Sequence, residues 1–150
     1  MKEKIFNTNF EVAMRILMLL NAFKEGLDEE RILFFDFFTM YAKNYGFGNE
    51  NINGESSYMI NELTSQRKLT HDSIKELVLM GLIYVANTKN GYLYSINEKG
   101  SAVCKEMSTD YAYQYKKIAV SVKETLRNKS NKEIRNFARE KEGEMQNASY

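Results

Sequence analysis

Between residues 10 and 23 apolar side chains recur on nearly every face of a helical wheel: Val12, Ala13, Ile16, Leu17, Leu19, Leu20 and Phe23. A helix that is apolar almost all round belongs in the middle of a fold. Phe10 to Phe23 is therefore predicted as a buried first helix, with Asn9 as its cap and Glu11 in the first turn, where the helix dipole favours an acid. Gly26 is the expected stop. Asp28-Glu29-Glu30 sets acids at the start of a second helix, and the run Ile32 to Tyr41 follows, with only Asp36 and Thr39 polar. Glu29, Asp36 and Lys43 recur every seven residues and mark a narrow polar stripe, so Asp36 is expected in solvent or at an interface. Most of the remaining helix is expected in the core. The sharper expectation is that Phe34, Phe35, Phe38 and Tyr41 form a face for another subunit.

Tyr45 to Ser56 is rich in Gly and Asn and reads as a loop. Ser57 to Gln66 is a predicted third helix, with Met59, Ile60 and Leu63 inward. A break at Arg67-Lys68-Leu69 is expected to lead into a fourth helix, capped by Thr70, whose apolar side is Ile74, Leu77, Val78 and Leu79. Gly81 ends it. Leu82 to Val85 is strand-like, Lys89-Asn90-Gly91 is a hairpin signal, and Tyr92 to Ile96 is the returning strand. Asn97 caps a short helix, Glu98 to Met107. Residues 57–107 thus read as a helix-turn-helix with a β-wing. Tyr111, Tyr115, Ile118, Val122 and Leu126 form one helical stripe, so residues 111–139 are expected as one or two C-terminal helices. Residues 142–150 are polar and are expected to form a flexible tail. The fold class is mainly α with a small β-wing: a winged helix-turn-helix core at 57–107, an N-terminal helical pair at 7–45 and C-terminal helices, all in one domain of 150 residues.

The single cysteine, Cys104, excludes an internal disulfide and suits a reducing, cytoplasmic setting. The first residues lack the apolar stretch of a signal peptide, and the longest apolar run, Ile16 to Leu20, is too short for a membrane. Formal net charge is +1, but residues 24–62 carry eight acids and three bases, whereas residues 111–141 carry nine bases and three acids. An acidic half and a basic C-terminal segment are hidden in the near-neutral total, either as solvated helix faces or as a basic surface for nucleic acid or an acidic protein.

The inventory for catalysis is poor. One His and one Cys cannot form a four-ligand zinc site, and no phosphate-binding Gly-rich loop is present. Cys104 beside Ala102 and Val103 reads as a buried structural thiol. No enzyme, cofactor or metal site is expected. Arg67, Lys68, His71, Lys75 and Lys89 are the candidate nucleic-acid or phosphate contacts. The middle of the presumed recognition helix, Glu76-Leu77-Val78-Leu79-Met80, is acidic and then apolar, where major-groove readers carry Arg, Asn or Gln. That favours a protein-docking scaffold, with its interface on Phe34, Phe35, Phe38, Tyr41, Tyr111 and Tyr115. A dimeric winged-helix DNA-binding transcription regulator is the alternative.

Asn7-Thr8-Asn9-Phe10-Glu11, the buried helix after it, the Leu27-Asp28 start of the second helix, Ser56-Ser57 and Met80-Gly81-Leu82-Ile83 together resemble a known family. It is the small middle component of three-component ABC-ATPase systems, which includes the small subunit of Lamassu-type anti-phage defence. The resemblance spans roughly residues 7–137. It implies a bacterial operon with an SMC/Rad50-like ATPase, an effector that is often a nuclease, and this small subunit bridging the two. Non-specific DNA contact within the complex, through Arg67, Lys68 and Lys89, is a secondary expectation from the residues themselves. No catalytic residues carry over. The family's loop before the third helix often contains proline, and this chain has none.

Overall fold

The structure, a computed structural model, describes residues 8–52 and 59–148, with backbone alone at 59–61 and 146–148. The predicted helix start at Ser57, loop residues 53–56 and the inward packing of Met59 and Ile60 lie outside the described residues. The elements run α1 (Asn9–Phe23), α2 (Glu29–Met40), α3 (Ala42–Tyr45), α4 (Met59–Leu79), β1 (Ile83–Thr88), β2 (Gly91–Ile96), α5 (Glu98–Lys105), α6 (Asp110–Leu126) and α7 (Asn131–Ala148). The fold is mainly helical with a small antiparallel hairpin.

α1 is the central helix, as its all-round apolar wheel demands. Val12, Ala13, Ile16, Leu17, Leu19, Leu20 and Phe23 are buried, and α2, α4, α5, α6 and β2 pack around it. Its N-cap is Thr8, whose hydroxyl accepts from the Glu11 amide, and Asn9 is the first helical residue. It stops at Lys24, which adopts the left-handed conformation at φ 54 and donates to Leu20 O. The predicted stop at Gly26 comes two residues too late. Asp28 caps α2 by accepting from the Arg31 amide.

The predicted break at Arg67-Lys68-Leu69 is absent: α4 runs unbroken through it. The reason is local. None of the three is a helix breaker, Arg, Lys and Leu being good helix formers. The inward positions Leu63, Thr70, Ile74 and Leu77 also continue one stripe at helical spacing. Thr70 is buried inside the helix and caps nothing. No two-helix turn therefore precedes the hairpin within residues 59–79; one long helix lies across α1 and α2 instead.

β1 and β2 pair from Ile83↔Ile96 to Thr88↔Gly91 across the two-residue turn Lys89-Asn90. Gly91 carries the positive φ, 107. Leu27, between α1 and α2, exchanges both backbone hydrogen bonds with Tyr94, each 2.9 Å, and so covers the outer side of β2. The outer side of β1 pairs with no strand among the described residues.

The C-terminal segment is two helices, α6 and α7. α7 continues to Ala148, so residues 142–148, expected as a tail, are helical. Charge segregation along the chain is used internally. Arg127 pairs with Glu25 at 2.7 Å and Arg135 with Glu30 at 2.9 Å. Arg31 donates to the carbonyls of Arg127 (2.9 Å) and Lys129 (2.7 Å), clamping the α6–α7 corner. The acidic α2 start and the basic C-terminal helices are in part each other's counterions.

Candidate partner-docking surface

The aromatic residues expected to face a partner do not. Phe34, Phe35, Phe38, Tyr41 and Tyr115 are buried within the chain itself, and Tyr111 is half-buried against Met40. Phe35 stacks on Phe23 at 4.9 Å, and Phe38 contacts Tyr45 and Phe137 at 4.6 and 5.2 Å. These rings have their partners inside the fold because α1 covers one side of α2 while α4 and α7 cover others.

Asp36 is likewise neither solvated nor at an interface. It is buried, accepts two 2.9 Å hydrogen bonds from Arg15 Nε and Nη2, and accepts a third at 2.6 Å from Tyr115 Oη. Burial works against the charged Arg15 guanidinium, but the facing Asp36 carboxylate more than offsets it and holds the guanidinium pKa above its ordinary value. Burial, then the Asp36 charge, pushes the Tyr115 phenol well above its usual range. The network is buried and ties α1, α2 and α6 together.

Burial also pushes the Cys104 thiol up to about 11, against the pull of Lys116. A protonated, buried thiol is inert. Among the described residues no group of three or more His, Cys, Asp and Glu is placed to hold a metal ion.

The exposed apolar side chains lie elsewhere. Within Val78–Val85, five of eight residues are large, apolar and exposed: Val78, Leu79, Met80, Tyr84 and Val85. Leu79 is 81% exposed. Tyr92, across the hairpin, is exposed as well. Val78 and Leu79 were expected on the buried side of their helix, but only Ile74 and Leu77 reach the core. The signal was in the chain: four consecutive apolar residues, Leu77 to Met80, exceed what one face of a helix buries.

This segment is presented on a rigid mount. Gly81, at φ 73, ends α4, and Leu82 and Ile83 then dive into the core. Asn97 locks the junction from behind. Its Nδ2 donates to Gly81 O at 2.8 Å, and its Oδ1 accepts from the Gly100 amide at 2.8 Å, capping α5. Gly100 lies so close that an added Cβ would sit 2.2 Å from Leu82 O. The β1 edge that follows has the sequence Ile83-Tyr84-Val85-Ala86-Asn87-Thr88, with no charge, Pro or Gly. Free edges in monomeric proteins are usually guarded by such residues.

The candidate phosphate contacts are split. Lys68, His71 and Lys75 share a face of α4 and are exposed, but Lys68 pairs with Asp72 at 3.2 Å and His71 with Glu29 at 3.0 Å. Lys89 sits in the hairpin turn. Arg67 lines a separate cavity against α2 and α7.

The model of ABC-three component (ABC-3C) system Middle Component 2 matches residues 5–147. The chain belongs to this family. An ABC-3C middle component is one part of a multi-component ABC system, so partner components of that system are implied. No curated protein and no solved structure matches the chain. Among the described residues no helix is long and apolar enough to cross a membrane.

Proposed function

We propose that this ABC-3C middle component is a non-catalytic adaptor that bridges an SMC/Rad50-like ATPase and an effector nuclease of the same operon in a bacterial, Lamassu-type anti-phage defence complex. We read the hairpin as a wing and α4 as occupying the place of a recognition helix, with the long helix turned to protein docking. The observation that carries this reading is the exposed apolar stretch Val78–Val85 beside the uncharged edge of β1, which is unpaired among the described residues. An exposed apolar surface next to an open strand edge marks a protein interaction site. Burying the Leu79 side chain alone is worth about 1.5–3 kcal/mol, or roughly tenfold or more in affinity. Direct DNA contact is the weaker reading, because Asp72 and Glu76 interleave with the cations on α4 and Glu29 of α2 pairs with His71.

The test is co-purification from cells expressing the neighbouring ATPase and effector genes with this chain tagged. Both partners are expected with the wild-type chain and are lost with Leu79→Asp/Tyr84→Asp. Retention of both partners by that variant at wild-type stoichiometry would rule out this surface.

A further inference from the structure

A second surface, on α4 but away from the apolar stretch, has the character of a ligand site. A cavity of about 240 Å3 opens between α2, α3, α4 and α7. Its floor is Phe34, Phe37 and Phe38, with Leu63 and Ala138 as apolar walls. Arg67 from α4 and Arg135 and Arg139 from α7 line it, together with Glu142. Arg135 is committed to Glu30. Arg67 and Arg139 are exposed, and neither is in an ion pair among the described residues.

With Arg135 held by Glu30, Arg67 and Arg139 outnumber the one Glu142 carboxylate in the lining, so the cleft keeps a net positive charge and suits a ligand that is apolar at its centre and anionic at its edge. The cavity falls below the roughly 300–1,000 Å3 of small-molecule and cofactor pockets, so it suits an inserted side chain better than a whole cofactor. The ring faces are not available for stacking on bases, since Phe34 and Phe37 are each only 4% exposed; single-stranded nucleic acid binds along grooves with exposed rings. A guanidinium pair instead matches carboxylates, which it engages in charge-assisted hydrogen bonds.

The geometry points to this cavity as a docking site for an acidic polypeptide segment of a partner, which inserts one large apolar side chain between Leu63 and Ala138 and sets its flanking Asp or Glu carboxylates against Arg67 and Arg139. Arg67 and Leu79 are twelve residues apart on α4, about 18 Å along the helix axis. The middle component thus carries two different docking surfaces on one helix, one apolar and one basic. This deepens the adaptor reading and rests on it only for the source of the peptide.

The experiment is fluorescence polarisation on the full chain with a labelled hexapeptide, a central Leu-Phe pair flanked by two acids on each side. The wild-type chain is expected to bind it, with affinity falling as salt rises. Arg67→Ala/Arg139→Ala should weaken it at least tenfold, and Ala138→Phe, which fills the cavity without altering charge, should abolish it. Leu79→Ser should leave it unchanged. No binding, equal binding by the arginine double variant, equal binding of a peptide with lysines for acids, or displacement by a single-stranded oligonucleotide at lower concentration would overturn the assignment. Any of these leaves the co-purification result with the Leu79 and Tyr84 variants standing on its own.

Discussion

Arg15 on α1 and Asp36 on α2 form a bidentate ion pair, two hydrogen bonds of 2.9 Å, with both side chains almost wholly excluded from water. The pair joins the central helix to the aromatic one, and Tyr115 brings α6 to the same carboxylate. Breaking a buried pair by removing one partner strands a charge and costs about 3–5 kcal/mol, whereas an apolar replacement of both is near neutral or stabilising. Asp36→Ala is expected to lower unfolding free energy by about 3–5 kcal/mol. Arg15→Met/Asp36→Leu should recover most of that loss in the same urea titration. A single-variant cost under about 1 kcal/mol, the level of an exposed pair, would contradict the role given to this contact.

Gly100 is held where no side chain fits. An added Cβ would meet Leu82 O at 2.2 Å, Ile96 Cγ1 at 2.9 Å and Leu17 Cδ1 at 3.1 Å. Gly100→Ala should therefore destabilise the chain by about 1–3 kcal/mol, the range for overpacking, although alanine is the better helix former. Thermal unfolding reads the sign directly. A rise in Tm would mean that α5 shifts freely from the hairpin.

Stability should fall at alkaline pH. Burial raises Cys104 from its ordinary 9.0 to about 11 and Tyr111 from 10.0 to about 12, and it also raises Tyr45 and Tyr115. From about pH 9 upward the unfolded chain loses these protons before the folded one does. The folded state then holds more protons, so unfolding free energy declines as pH rises. The contribution is complete below the ordinary values and disappears as pH passes the raised ones. Urea midpoints at about pH 8 and about pH 10.5 should differ, and Tyr115→Phe should reduce the slope between them. A flat profile would mean that these groups are solvated in the folded state.

Leu79→Ser separates docking from folding. At 81% exposure the side chain contributes little to the isolated chain, and surface substitutions of this kind usually stay within about 0.5 kcal/mol. Unfolding should be unchanged while affinity for the partner falls about tenfold. Equal loss of stability and affinity would place Leu79 in the core.

Much of the architecture could be read along the chain. The all-round apolar wheel of Val12 to Phe23 marked the central helix, the acids Asp28-Glu29-Glu30 marked the start of α2, Asn97 announced its cap, and Asn90-Gly91 announced the hairpin. Four features were misread, two of them, Asp36 and the α2 phenylalanines, because they depend on a partner distant in sequence. The seven-residue polar stripe through Asp36 has the same spacing whether it faces water or an arginine on another helix. The run Arg67-Lys68-Leu69 between two apolar segments suggested a turn, yet only a breaker residue would have made one. The phenylalanines of α2 offered a core or an interface, and α7, closing over them through Phe137, decided for the core. The exposed stretch Val78–Val85 spans the predicted helix end and the first predicted strand, and a local wheel placed Val78 and Leu79 inward.

The central claim is that β1 and the end of α4 are covered by a partner in the assembled complex. Hydrogen exchange across residues 78–88, measured on the free chain and on the complex purified with its operon partners, tests it most directly. We predict that amides in Tyr84–Asn87 and around Leu79 slow on assembly, as an added strand and an apolar contact require. Identical exchange in the free and assembled chain, with protection gained elsewhere, would contradict the account.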